Sequence, residues 1–280
     1  MALTLTSRRK RHKLAADAGL LVVAAAFCLP LAWKWELGVR RVGIAVALIA
    51  VLSGVVVAVV DSAADGLSFV VRAFFVAALT VAIAVAILAY RFFRDPERKA
   101  PAGDELVVSP ADGEVIYVRT SKDGVLPVAT KHGRDYELIE LTKTPLRDQE
   151  AVVVGIAMSF LDVHVNRAPI AGRVRLRRHF PGRFGSLGKP GMVFENERAT
   201  TVIERPDIEI AVVQIASRLV RQIAAYVDVG QTVAAGDRIG VIRLGSQVDV
   251  VLPVRPGLEI AVQPGERVRA GESVLAKLAQ

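Results

Sequence analysis

Asp228-Val-Gly-Gln-Thr-Val-Ala-Ala-Gly-Asp237 and Gln263-Pro-Gly-Glu-Arg-Val-Arg-Ala-Gly-Glu272 repeat one pattern. Gly230 and Gly265, Val233 and Val268, and Gly236 and Gly271 each stand 35 residues apart. Each glycine supplies the positive φ of a tight turn, and each valine points into the core from a short strand. Two further turns, Ser109-Pro-Ala-Asp-Gly113 and Ala168-Pro-Ile-Ala-Gly172, each lead into a strand-like run. Between these turns lie Glu114-Val-Ile-Tyr-Val118, Ala151-Val-Val-Val154, Thr201-Val-Ile-Glu204 and Ile208-Glu-Ile-Ala-Val-Val213, short segments rich in β-branched residues. They read as strands, and only residues 215–223 carry a brief helical pattern. The pattern predicts a mainly β domain, a β-sandwich or barrel-sandwich hybrid assembled from hairpins.

Hairpins of this kind resemble those of biotinyl and lipoyl domains. No lysine stands in the Met-Lys-Met or Asp-Lys-Ala setting that a carrier domain modifies, which argues against a swinging-arm carrier. Two copies are also too few for an extended solenoid.

The apolar content is uneven. Hydrophobic residues make up 52% of the 280, with a mean hydropathy of +0.42. The excess is concentrated in residues 14–90, ahead of a water-soluble region at 91–280 and behind a basic tail at 1–13. Three apolar stretches occur, at 14–33, 42–60 and 69–90, and about 20 residues of helix cross a bilayer core. The second and third read as membrane spans forming an α-helical anchor, with Arg72 near the end of the third able to snorkel to the headgroups. The first contains Asp17 and Pro30 and reads as either re-entrant or spanning. Lys34, Arg40 and Arg41 precede the second stretch, and Arg91, Arg94, Arg98 and Lys99 follow the third. The connector 61–68 carries two Asp and no cation. This bias predicts a hairpin with the large domain on the cytoplasmic face of the cell membrane.

The single cysteine, Cys28, rules out an internal disulfide and a cysteine-based zinc site. A net charge of +8 with only 6% aromatic residues argues for anionic lipid headgroups and against nucleic acid as the partner.

Ile242-Arg-Leu-Gly-Ser-Gln-Val-Asp-Val-Val-Leu-Pro253 carries the chemistry. A serine hydroxyl at 246 can attack the carbonyl of Gly245, which glycine leaves uncrowded. With Arg91-Phe-Phe-Arg-Asp-Pro-Glu-Arg98, Ser109-Pro-Ala-Asp-Gly113, Leu161-Asp-Val-His-Val-Asn-Arg-Ala-Pro169, Glu195-Asn-Glu-Arg198 and Leu244-Gly-Ser246 in this order, the chain resembles the phosphatidylserine decarboxylases of the short, membrane-anchored type. The resemblance implies that the proenzyme cleaves itself between Gly245 and Ser246, leaving chains of 245 and 35 residues that stay associated. Ser246 then becomes a pyruvoyl group, which forms a Schiff base with the substrate amine and takes up electrons as CO₂ leaves. The implied reaction converts phosphatidylserine into phosphatidylethanolamine with no metal and no exogenous cofactor.

Self-cleavage needs a base, and histidine suits neutral pH. Of His12, His132, His164 and His179, the resemblance selects His164, and it selects Asp112 as the carboxylate that orients it. Larger family members carry a second histidine three residues after the first; here that position is Arg167. The division of roles between Asp112 and His164 is left open. Arg198, Lys189 and Arg183 are candidates for the headgroup phosphate or carboxylate. The glycine-rich stretch 182–191 is a candidate loop over the site. Three other readings compete. They are a decarboxylase of another serine-headgroup lipid such as archaetidylserine, a non-enzymatic membrane-tethered β-sandwich adaptor, and a serine hydrolase. The last lacks a Gly-x-Ser-x-Gly elbow. Whether the chain forms a homo-oligomer is open on sequence grounds.

Overall fold

The computed structural model describes residues 39–63, 69–122, 125–126, 136–146, 150–183, 192–216, 223–242 and 246–278. The chain divides into two compact units, Met1–Phe92 and Phe93–Gln280.

Within the first unit, α1 (Val39–Ala63) and α2 (Phe69–Phe93) cover the second and third apolar stretches. Phe74–Phe93 is long and apolar enough to cross a membrane, while Gly43–Val56 is a shorter apolar segment of α1. At 1.5 Å per residue, 20 residues reach about 30 Å. Leu48, Val51, Leu52, Val55, Phe74, Phe75 and Val85 are exposed, an arrangement that water penalises and lipid accepts. The hydroxyl of Thr80 donates to the carbonyl of Val76 at 2.7 Å and so is satisfied inside its own helix. The first stretch, 14–33, lies outside the described residues.

In the second unit the strands are β1 (Leu106–Val108), β2 (Gly113–Thr120), β3 (Val125–Leu126), β4 (Tyr136–Glu137), β5 (Ala151–Met158), β6 (Val165–Arg167), β7 (Gly172–Phe180) and β8 (Arg198–Glu204). They continue as β9 (Glu209–Ala216), β10 (Ile223–Ala225), β11 (Thr232–Val233), β12 (Arg238–Ile242), β13 (Ser246–Pro253), β14 (Glu259–Ile260), β15 (Arg267–Val268) and β16 (Val274–Lys277). Two short helices, α3 (Leu138–Thr142) and α4 (Met192–Glu195), complete the described elements. The main sheet runs β11-β7-β8-β9-β13-β5-β2-β15, antiparallel throughout. Two three-stranded sheets, β1-β16-β14 and β10-β12-β6, accompany it.

The repeated motif explains how this sheet ends. Its two valines occupy equivalent places on opposite edges, with Val233 paired to Gly172 and Val268 paired to Gly113. The glycines of both copies have positive φ, 91° and 85° in the first and 94° and 74° in the second. The other two turns dock in the same way. Gly236 N–H donates to the Ala168 carbonyl at 2.9 Å, and Gly271 N–H to the Ser109 carbonyl at 2.7 Å. A Cβ on Gly271 would lie 3.3 Å from the Cα of Gly236, so the two edges of the sheet come together where the repeats meet. The sheet is curled, and the curl brings the turn holding Asp112 near the strand ends that hold His164.

Strands β5, β8, β9 and β13 are covered on both faces, which accounts for unbroken apolar runs such as Val152-Val-Val154. Ile156, Val212, Val248 and Val250 face one core, and Val153, Val213, Ile215 and Val251 face a second that includes Leu141 of α3. The helical reading of 215–223 is corrected at both described ends. Ile215 and Ala216 belong to β9, paired with β13, and Ile223 opens β10. Cross-strand pairing and full burial override the local propensity there.

Candidate functional site

Ser246 is the first residue of β13, between β5 and β9 in the middle of the main sheet. Its backbone stands opposite Met158 on one side and Ala216 on the other. Gly245 lies outside the described residues. Four residues earlier, Ile242 ends β12, and its N–H donates to the carbonyl of His164 at 3.1 Å. Four residues of extended chain span at most about 14 Å, so His164 and position 246 share one region of the fold.

His164 immediately precedes β6 and is 1% exposed. Burial lowers its pKa, while a backbone hydrogen bond at Asp162 and the carboxylates of Asp162 and Asp112 pull it upward. A lowered imidazole pKa favours the neutral form, which can accept a proton.

Asp112 occupies the turn between β1 and β2, where the Ser109 hydroxyl donates to the Ala111 carbonyl at 2.7 Å. Its carboxylate receives both terminal nitrogens of Arg98 and the N–H of Ala270 at 2.8 Å. A longer bond of 3.4 Å comes from the N–H of Val163, the neighbour of His164. Burial raises the pKa of Asp112, and the Arg98 and backbone hydrogen bonds outweigh it, leaving a carboxylate below its ordinary range. Asp112 is therefore a fixed anion beside the His164 segment and a poor proton acceptor.

Three features escaped sequence reasoning. The amide of Asn166 accepts from Gln214 Nε2 at 2.7 Å and donates to the Pro110 carbonyl at 3.4 Å, tying the His164 segment to β9 and to the Asp112 turn. Arg167, three residues after His164, is 3% exposed. It donates to the carbonyls of Gly236 at 2.8 Å and Pro96 at 2.9 Å and to Asp95 at 3.2 Å. On the opposite face of β13, Gln247 Nε2 donates to Asp249 at 2.7 Å and to Tyr117 Oη at 2.8 Å, and Tyr117 donates to Asp249 at 2.7 Å. Burial pushes Asp249 up to about 6 and Tyr117 well above its usual value. The sequence signal was a pair of polar residues at alternate positions, Gln247 and Asp249, followed by a run of valine and leucine.

The headgroup candidates separate. Arg198 is 1% exposed, and it donates to the carbonyls of Leu141 at 2.8 Å and Asn196 at 3.2 Å; burial lowers its pKa to about 10. Arg183 is exposed and pairs with Glu195 at 3.2 Å. Lys189 lies outside the described residues. His179 is at the surface, 2.9 Å from Glu197.

Fold and site together define a β domain in which Ser246 opens the central strand and a buried histidine lies in the same region. The chain belongs to the phosphatidylserine decarboxylase family, whose model matches residues 85–276. A phosphatidylserine decarboxylase proenzyme of Ruegeria pomeroyi is 39% identical over 199 residues, covering 71% of this chain and 82% of the relative. One from Erythrobacter litoralis is 40% identical over 200 residues, covering 71% and 75%. A Methanothermobacter thermautotrophicus proenzyme named for archaetidylserine decarboxylation is 38% identical over 187 residues, covering 67% and 79%.

Proposed function

We propose that the chain is a self-cleaving proenzyme that decarboxylates phosphatidylserine to phosphatidylethanolamine and CO₂. The Ser246 oxygen adds to the Gly245 carbonyl carbon, the amide C–N bond breaks, and the hydroxyl proton passes through His164 to the freed amine. The resulting ester then eliminates across Cα–Cβ of residue 246, with the Cα proton taken by a base and the Gly245 carboxylate leaving. Water replaces nitrogen, as ammonia, in the remaining dehydroalanine and yields a pyruvoyl group at residue 246. Asp112 is the anion that favours a protonated His164 while the proton is in transit. When formed, the pyruvoyl group supplies the electron sink for loss of CO₂.

The observation that carries this reading is the position of residue 246 at the head of the central strand. The residues present suit a new chain end there. β13 pairs with β5 along all eight residues and with β9 along six, and β15 and β16 pair with β2 and β1. Each of these contacts joins the 35-residue product to the larger one, so the two chains remain one folded body after cleavage. The same ladder holds the reactive end in place. The apolar helices ahead of the domain, together with the cations at their ends, favour a location at the cytoplasmic face of the membrane. The lipid substrate lies in that membrane. Arg183, exposed and near the end of β7, is the described candidate for the headgroup phosphate; Lys189 is the other.

Archaetidylserine carries the same serine headgroup, and one relative is named for it. The two lipids therefore compete as substrates of one chemistry. Purified protein should resolve on a denaturing gel into two chains, the smaller beginning at residue 246 without a free amine by intact mass. It should release CO₂ from phosphatidylserine in mixed micelles, and Ser246→Ala should stay whole and inactive. Activity from a chain still continuous through residues 244–247 refutes the reading.

A further inference from the structure

The segment leaving α2 does more than connect. Arg94 donates to the Leu161 carbonyl at 3.0 Å, one residue before the Asp162-Val-His164 run. Asp95 receives Arg167 and Arg238, Glu97 receives Arg238 at 2.7 Å, and the Pro96 carbonyl receives Arg167. At the end of this strap Arg98 grips Asp112 through two parallel bonds and also donates to the Ala270 carbonyl at 2.8 Å. The side chains of Arg98 and Asp112 are 7% and 9% exposed. Ala270 is thus held twice, its carbonyl by Arg98 and its N–H by Asp112, in the repeat turn that closes the sheet edge.

We infer that Arg98 is a positioning residue for self-cleavage, fixing Asp112 as an anion against the segment that carries His164, with residues 94–98 a working part of the processing centre. The inference rests on the self-cleavage reading above. A planar guanidinium bonded bidentately sets both the charge and the direction of a carboxylate, which a lysine would do with one point charge. Burial alone would drive Asp112 toward its neutral form, and a neutral Asp112 would no longer favour the protonated state of His164. The surrounding charges are distributed to keep Arg98 on this task. Asp95 and Glu272 attract Arg98, and Arg167 lies near enough to be repelled by it. The other carboxylate near His164, Asp162, is held by Arg267 and by the N–H of Ser159.

The test follows cleavage of the full chain made cell-free into phospholipid vesicles, with the proenzyme and its two products separated on denaturing gels at stepped pH. Arg98→Gln should slow cleavage roughly tenfold or more. It should also move the acid limb of the rate to higher pH, because Asp112 then takes up a proton more readily. Arg98→Lys should recover part of the rate and return the limb toward its original place. Because Arg98 acts through Asp112, the double variant Arg98→Gln/Asp112→Asn should cleave no more slowly than Asp112→Asn alone. Wild-type rate and pH profile in Arg98→Gln would overturn the inference, and so would additive losses in the double variant. If the Gln chain is degraded, the Lys chain decides: a slower rate with a displaced limb supports the inference, and an unchanged rate and limb overturn it. A wild-type chain that never splits at 245–246 would sink the self-cleavage reading itself, whereas splitting that is indifferent to Arg98 removes only this inference.

Discussion

Asp249→Asn should make the β domain's stability less dependent on pH, and the size of the change follows from burial. Asp249 is wholly buried and bonded to Tyr117 and Gln247, and its pKa is pushed up to about 6, mainly by loss of water. In the unfolded chain the same carboxyl titrates near its ordinary value of about 3.9. The folded state therefore holds this proton more tightly. The contribution of Asp249 to stability is fully present below about pH 4 and is lost as pH rises through about 6. Integrated between pH 5 and pH 8, the loss is about 1–2 kcal/mol. Urea unfolding followed by circular dichroism in detergent suits the measurement. Ser246→Ala should serve as the background, so that one continuous chain unfolds. On that background, raising the pH from 5 to 8 should cost the chain with Asp249 about 1–2 kcal/mol more than it costs the Asp249→Asn chain. A difference between the two chains that is equal at both pH values would refute the reasoning. A difference of opposite sign would show that Arg198 and the two hydrogen bonds outweigh the cost of burial.

Arg167→Ala should cost about 3 kcal/mol, because the carbonyls of Gly236 and Pro96 and the carboxylate of Asp95 lose a buried cationic donor. The same urea titration reads it, and limited proteolysis should show earlier cutting near residues 95–97. Gly155→Ala should destabilise by about 1–3 kcal/mol, since a Cβ there would fall onto the Tyr117 ring. Displacing that ring breaks its bond to Asp249, a bond that holds the Asp249 pKa down against burial, so this variant should also steepen the pH dependence assigned to Asp249, and a weaker dependence would count against the network.

The turn chemistry was legible in the sequence because glycine at positive φ leaves a mark that no other residue leaves. Gly230, Gly236, Gly265 and Gly271 marked both closing hairpins, and the Ser109–Gly113 and Ala168–Gly172 turns proved to be the segments they dock against. The central strands were legible for a related reason, since cover on both faces requires runs such as Val152-Val-Val154. What stayed hidden depends on contacts distant in sequence. Arg98 meets Ala270 across 172 residues, and Arg167 meets Asp95 across 72. Neither pairing has a local pattern, so Arg98 read as a cation after an apolar stretch and as the end of the Arg91-Phe-Phe-Arg-Asp-Pro-Glu-Arg98 motif, with no partner assigned. Arg198 read as a candidate for the headgroup because nothing in Glu195-Asn-Glu-Arg198 reveals that its guanidinium is buried against the carbonyl of Leu141. The helical reading of 215–223 failed where edge-to-edge pairing with β13 decides the conformation.

Two carboxylates, Asp112 and Asp249, illustrate how one fold sets opposite protonation behaviour. Asp112 is held as an anion by Arg98 and backbone donors, while Asp249, three residues past Ser246 and on the other face, is pushed toward its neutral form by burial. Environments that drive like groups apart separate a fixed charge from a structural hydrogen-bond acceptor. In the proposed mechanism, that fixed charge is one part of a set drawn from the whole chain. Arg98 lies before the first strand, Asp112 follows β1, His164 precedes β6, and Ser246 opens β13. The set is complete only once β13, which carries Ser246, has entered between β5 and β9. Cleavage by the proposed mechanism must therefore follow folding.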